Sequence, residues 1–152
     1  MNYKKAILDD LDILGKTRIE VLRVANHFGE GKDMSFVEKE IREYYVEALK
    51  NNTHTAYLIF DGDNFVGTGG VSYYKVMPTC CNPSGHKAYI MNIYTRPEYR
   101  RRGIAYKTLD LLVEDAKARG ITSISLEATD MGKPMYKKYG FAKMNDEMQL
   151  LL

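Results

Sequence analysis

The stretch at residues 92–120, NIYTRPEYRRRGIAYKTLDLLVEDAKARG, decides the reading of the chain, because it runs from a β-like segment into an amphipathic helix through three adjacent arginines and a glycine. Residues 88–95, AYIMNIYT, have the apolar and aromatic composition of a strand. Ala105, Leu109, Leu112, Val113 and Ala116 recur at the spacing of one buried helical stripe, and Gly120 stands where such a helix would end. A strand that enters a helix through a tight, glycine-containing turn directs several unpaired backbone N–H groups to one point, at the positive end of the helix dipole. That arrangement binds phosphate. Gly103 permits close approach of the backbone, Ala105 is too small to block it, and the arginine side chains are available for outer phosphates.

Working outward, residues 2–6 read as a short first strand, followed by a helix on Leu11, Leu14, Val21, Leu22 and Ala25 that breaks at Phe28 and Gly29. Ser35 with Glu38 resembles a capping box, and Val37, Ile41, Tyr44, Tyr45, Ala48 and Leu49 trace the apolar face of a second helix. HTAYLIF and FVGTGGVSYY, joined by DGDN, predict an antiparallel hairpin, with Gly67, Gly69 and Gly70 marking bulges or close approaches. KVMPTCCNPSGHK reads as a loop. ITSISLEAT is a further strand, MGKPMYKKYGF a short helix with Pro134 in its first turn and Gly140 at its cap, and EMQLLL a strand that closes the sheet. The order β-α-α-β-β-β-α-β-α-β predicts an α/β fold in which helices flank a mixed central sheet.

With 152 residues the chain suits one domain spanning residues 1–152. A formal charge of +2 argues against a polyanion such as nucleic acid as partner, so any anion site is local. The first residues lack the apolar core of a signal peptide, and no run approaches the roughly 20 apolar residues that span a bilayer, which predicts no membrane partner and a cytoplasmic location. The only cysteines, Cys80 and Cys81, are adjacent. They read as two reduced thiols in a loop, without metal-ligand spacing, and no metal is expected.

RPEYRRRGIA resembles the acetyl-CoA signature of the GCN5-related N-acetyltransferases: Arg or Gln, two variable residues, Gly, any residue, then Gly or Ala, matched here by Arg100, Gly103 and Ala105. MYKKYGF resembles the family's second landmark, a Tyr shortly before Gly-Phe. The resemblance covers nearly the whole chain and implies a mixed sheet that splays beside residues 91–95. It further implies acetyl-CoA as co-substrate, its pantetheine arm paired to the main chain of Ile93, Tyr94 and Thr95, and its pyrophosphate resting on the amides of Arg101, Arg102, Gly103, Ile104, Ala105 and Tyr106. Arg100, Arg102 and Lys107 are looser candidates for the outer phosphates. Where many members carry an Asn that contacts the pantetheine arm, this chain has Thr129, whose hydroxyl offers fewer bonds.

The implied chemistry is direct attack of a neutral amine on the thioester, with Tyr136 as the acid at the departing sulfur. Glu127 is a candidate base if it faces the cleft, and a solvated strand carboxylate otherwise. Asn92, a polar residue in an apolar strand, and Tyr73, at the end of the hairpin, are candidates to contact the acceptor, a small-molecule or peptide amine. His27 and His86 read as solvated loop residues. A module that binds acyl-CoA without transfer is the alternative. A homodimer is compatible with folds of this type.

Overall fold

The computed structural model describes residues 1–152. Its strands are β1 (Asn2–Lys5), β2 (His54–Asp61), β3 (Asn64–Lys75), β4 (His86–Thr95) and β5 (Ser123–Leu126). Its helices are α1 (Leu11–Ala25), α2 (Ser35–Lys50), α3 (Ile104–Ala118) and α4 (Lys133–Tyr139). The strands lie side by side in sequence order; β1 to β4 are antiparallel and β5 joins β4 in parallel. The mixed sheet expected from the element order is therefore formed. Its one parallel pair is joined by the crossover through α3, as a parallel connection requires.

Helices cover both faces because alternate strand residues are apolar on both. On one face Val71, Ala88 and Ile90 pack with Leu109, Leu112, Val113 and Ala116 of α3. On the other, Ala56, Leu58 and Phe65 pack with Leu14 of α1 and Tyr45 of α2. Leu58, Leu109 and Leu112 are fully buried, and each contributes about 1.5–3 kcal/mol of apolar transfer free energy. The strand glycines are close approaches, as expected. A Cβ on Gly69 would stand 2.5 Å from Thr108 of α3, and one on Gly70 would stand 2.7 Å from the His54 ring.

The feature that positions the site is an irregularity in β4. Met91 pairs with Gly70 and Tyr94 with Thr68, so Asn92 and Ile93 stand opposite the single residue Gly69. Asn92 takes the left-handed conformation, with φ of 59°. The result is a β-bulge, which bends the strand and turns Met91 and Asn92 toward the same side. The parallel pairing with β5 ends at Ile90 and Leu126, two residues before the bulge at Asn92. Beyond that point the β4 edge at residues 91–95 has no strand partner.

Two local expectations are corrected. The Ser35–Glu38 capping box does not form; Ser35 is already helical, its amide is held by Asp33 Oδ1 at 2.9 Å, and Glu38 instead faces Arg42 at 3.6 Å. Asp33 is the better acceptor because a carboxylate two residues upstream closes an Asx-type turn onto that amide. EMQLLL does not close the sheet: no strand follows β5, and Met148, Leu150, Leu151 and Leu152 are exposed. Polar and apolar residues alternate only from Glu147 to Leu150 before the run ends in consecutive leucines, so no single inward face is defined and no register is fixed.

Candidate functional site

The turn between β4 and α3 has the geometry its sequence implies. Pro97–Tyr99 form a short 3-10 turn, Arg100 is extended, and Arg101 and Gly103 take left-handed backbone conformations with φ of 63° and 76°. This sequence of conformations folds successive amides toward one concavity. None of the amides of residues 101–106 donates to an acceptor within the chain, and the first backbone bond of the following helix runs from Lys107 N–H to Gly103 O at 3.0 Å. Six consecutive donors therefore face outward at the positive end of a 15-residue helix.

These donors border a cleft of ≈ 840 Å3 whose lining includes Thr95, Arg100, Gly103 and Ala105, with Pro134, Met135 and Lys138 of α4 on the far wall. Thr95 is buried and its hydroxyl has no hydrogen-bond partner. Arg100 Nε donates to Thr95 O at 3.1 Å, which ties the turn to the strand it leaves. Arg102 donates to Glu98 O at 3.1 Å and stacks over Tyr99, whereas Lys107 lies 3.8 Å from Asp110. A cofactor with a pyrophosphate and an amide-bearing arm fits this arrangement. The outward amides match the phosphates, and the unpaired β4 edge offers main-chain partners to the arm.

Tyr136 lies on α4, half-buried, its ring edge-on to Phe141 and packed, as Ile93 and Leu126 are, against the core cluster of Leu109, Leu112 and Val113. Burial pushes its phenol pKa up, so at neutral pH it is a hydroxyl donor, and that hydroxyl is bonded to no other residue. Thr129 is a turn residue ahead of α4. Its hydroxyl accepts from the Gly132 amide at 3.2 Å, on the side where the Tyr136 ring passes. Glu127 is exposed just beyond β5.

Tyr73 is not brought to the cleft. It points to the α3 face, where its hydroxyl donates to Asp115 Oδ2 at 2.6 Å beneath Arg119, in a network with Thr55 and Lys5. Side chains alternate along a strand, so the neighbour Ser72 takes the opposite face.

On that opposite face lies a second cavity, of ≈ 280 Å3, between α1, α2 and strands β2 to β4. Asn92 lines it and accepts from Arg18 of α1, Oδ1 to Nη1 at 3.0 Å. Tyr44, His54 and Ser72 form a closed triangle there: 2.8 Å from the Tyr44 hydroxyl to His54 Nδ1, 2.7 Å from that hydroxyl to Ser72 Oγ, and 3.2 Å from Ser72 to His54. Burial, helped by the nearby Arg18 charge, lowers the His54 pKa to about 4, so the imidazole is neutral. The sequence reading missed His54, Arg18 and this triangle. One signal was available: His54, Ala56 and Leu58 alternate on an inward strand face.

A turn of unpartnered amides beside the open edge of β4 defines an α/β protein whose geometry suits a phosphorylated, amide-bearing cofactor. The chain matches the model of the Acetyltransferase (GNAT) family over residues 21–141. It is 34% identical to a predicted acetyltransferase with acetyl-CoA from Clostridium acetobutylicum, with a TM-score of 0.90 over 99% of this chain and 95% of that one. A GCN5-related N-acetyltransferase from Ralstonia eutropha, 22% identical, shares the fold at a TM-score of 0.83 over 99% and 97% of the two chains. So does glucosamine-6-phosphate N-acetyltransferase from Arabidopsis thaliana, 16% identical, at 0.70 over 99% and 97%. No curated protein matches the chain. The chain belongs to the GNAT acetyltransferase family, and its chemistry is that of an acyltransferase. No helix is long and apolar enough to cross a membrane.

Proposed function

We propose that the protein, as a single domain, transfers the acetyl group of acetyl-CoA directly to a primary amine. The observation that carries this reading is the row of six unpartnered amides at residues 101–106 beside an unpaired strand edge. The similarity to a structure with acetyl-CoA supports the same co-substrate. When bound, acetyl-CoA supplies an activated acetyl thioester. The amides of residues 101–106 hold the pyrophosphate, with Arg100 and Arg102 toward the outer phosphates. The main chain of Ile93, Tyr94 and Thr95 aligns the pantetheine arm as an added strand would. A backbone N–H of the bulged segment polarises the carbonyl oxygen, and the Tyr136 hydroxyl donates to the departing sulfur.

The acceptor enters through the cavity on the other side of β4. An amine of pKa about 10.4 loses its proton at pH 7 at a cost of about 4.6 kcal/mol. The cavity lowers that cost, since burial there already favours the neutral form of His54. The Ser72 and Tyr44 hydroxyls give the released proton a route away from the amine. Attack forms the C–N bond, breaks the C–S bond and needs no enzyme nucleophile.

The test is release of CoA thiol across a panel of amines, with mass spectrometry of the product. Acetylated amine together with CoA is the expected result. Tight acetyl-CoA binding with no release for any amine would replace the transferase with a binding module.

A further inference from the structure

Three partly buried guanidiniums pair with carboxylates, Arg96 with Glu20 at 2.9 Å, Arg42 with Asp12 at 2.7 Å and Arg119 with Asp115 at 3.1 Å, while Arg23 and Arg100 donate to backbone carbonyls. Arg18 is different. It is half-buried and lines the ≈ 280 Å3 cavity, yet no carboxylate lies within 4.0 Å of it; its one hydrogen bond goes to the neutral Asn92 Oδ1. Desolvation lowers its pKa, which is what removal of a cation from water without a counter-ion does. Such a charge is costly in the free protein, and a ligand anion that pairs with it recovers the cost.

We propose that the acceptor is a small amine that also carries a carboxylate, an amino acid or similar amino-carboxylate, and that Arg18 receives the carboxylate. This rests on the acetyl-transfer reading and names the acceptor class of that same site. Four observations converge on it. A volume of ≈ 280 Å3 lies just under the range of about 300–1,000 Å3 for drug-sized ligands, which suits a group the size of one amino acid. Arg18 is the single cation of the lining and Glu40 its single carboxylate; with His54 neutral, a phosphate dianion would meet only one positive charge. Ile41, Tyr45 and Met91 give the acceptor's carbon skeleton an apolar wall. Finally, Asn92 orients Arg18 and is also the bulge residue next to Ile93, so a carboxylate held at Arg18 sets its amine beside the open edge of β4.

The experiment compares matched amines: an amino acid, its carboxamide, the decarboxylated amine, and an aminoalkyl phosphate. CoA release is followed for wild type, Arg18→Gln and Arg18→Lys. Calorimetry measures binding of the amino acid and of acetyl-CoA to each. The wild type is expected to prefer the carboxylate over the carboxamide by about tenfold or more in kcat/KM, as a charge-assisted pair implies. Arg18→Gln should bring that ratio close to one through KM, Arg18→Lys should restore part of it, and acetyl-CoA affinity should hold in both.

Equal use of carboxylate and carboxamide by the wild type, or a ratio unmoved by Arg18→Gln, overturns the acceptor class while acetyl transfer stands. Preference for the aminoalkyl phosphate overturns the carboxylate. If no amine releases CoA, the transferase reading fails, and calorimetry still decides the site: Arg18-dependent amino acid binding upholds it, and no binding overturns it.

Discussion

Replacing Gly103 with Asp tests the phosphate cradle at its centre. Gly103 precedes α3 in a left-handed conformation, φ 76° and ψ 4°, and a Cβ built there meets no atom within 4 Å. Asp and Asn tolerate this region better than other L-residues, so the fold should lose about 1 kcal/mol and a few degrees of melting temperature. Binding should lose far more. A carboxylate about 4 Å from a phosphate charge at an effective dielectric of about 20 costs about 4 kcal/mol, roughly a thousand-fold in Kd. Gly103→Asn has the same size and backbone tolerance without the charge, so it should weaken binding by only about tenfold. Calorimetry with acetyl-CoA at two salt concentrations measures both, and the Asp penalty should shrink at the higher one. If folded Asp and Asn variants bind acetyl-CoA equally, charge at this turn is irrelevant and the cradle reasoning fails.

Tyr136→Phe keeps the ring packed against Phe141 and deletes only the unpartnered hydroxyl, so kcat should fall about ten- to a thousand-fold with little change in acetyl-CoA affinity or melting temperature. A wild-type rate with chemistry limiting would remove it from the reaction. Changing both Cys80 and Cys81, which are exposed in the loop after β3, to Ser should leave turnover nearly unchanged; a large loss at normal stability would point to an acyl-cysteine route. Burial pushes the Asp115 carboxyl up, but bonds from Lys5, Tyr73 and Thr55 outweigh it and hold its pKa at about 2, below the ordinary 3.8. Because the folded value is depressed, the stabilisation is complete above pH 3.8 and disappears as pH falls through 2; it amounts to roughly 2 kcal/mol. Asp115→Asn should therefore melt several degrees lower at pH 7, and the gap should narrow in melts taken toward pH 2, where a constant gap would contradict the assignment.

The strand, turn and helix at residues 92–120 were legible because they are local. A single stretch of sequence carries the end of β4, the turn and the whole of α3, and the chemistry resides in amides whose direction follows from φ at Arg101 and Gly103. The expected closing strand does not form: polar and apolar residues alternate over residues 147–150, as in a strand, but pairing depends on a partner that no local pattern names. The second cavity was hidden for a different reason. It draws Arg18, Tyr44, His54, Ser72 and Asn92 from five elements, and the pair that organises it, Arg18 and Asn92, is separated by 74 positions. Tyr44 counted as one more apolar residue on an α2 stripe until the fold set it against His54. Tyr73 and Ser72 show the parity problem directly. One position along β3 decides whether a side chain meets Asp115 or the cavity, and composition does not say which.

This division bears on specificity. On the proposed reading, cofactor contacts made by the main chain survive almost any substitution that preserves backbone conformation. Acceptor contacts made by side chains carry no such protection: exchanging Arg18 or Glu40 changes the charge of the cavity while β4, its bulge and the turn at Gly103 stay as they are. The bulge lies between the two halves. The edge of residues 91–95 is unpaired on one side and Asn92 meets Arg18 on the other, so in the proposed reading one irregular segment borders both the acetyl donor and the acceptor's anchor. An acceptor too long to reach from Arg18 to that edge would bind without reacting. If Arg18 holds the acceptor as proposed, the span from it to that edge selects the amine along with the affinity of each end.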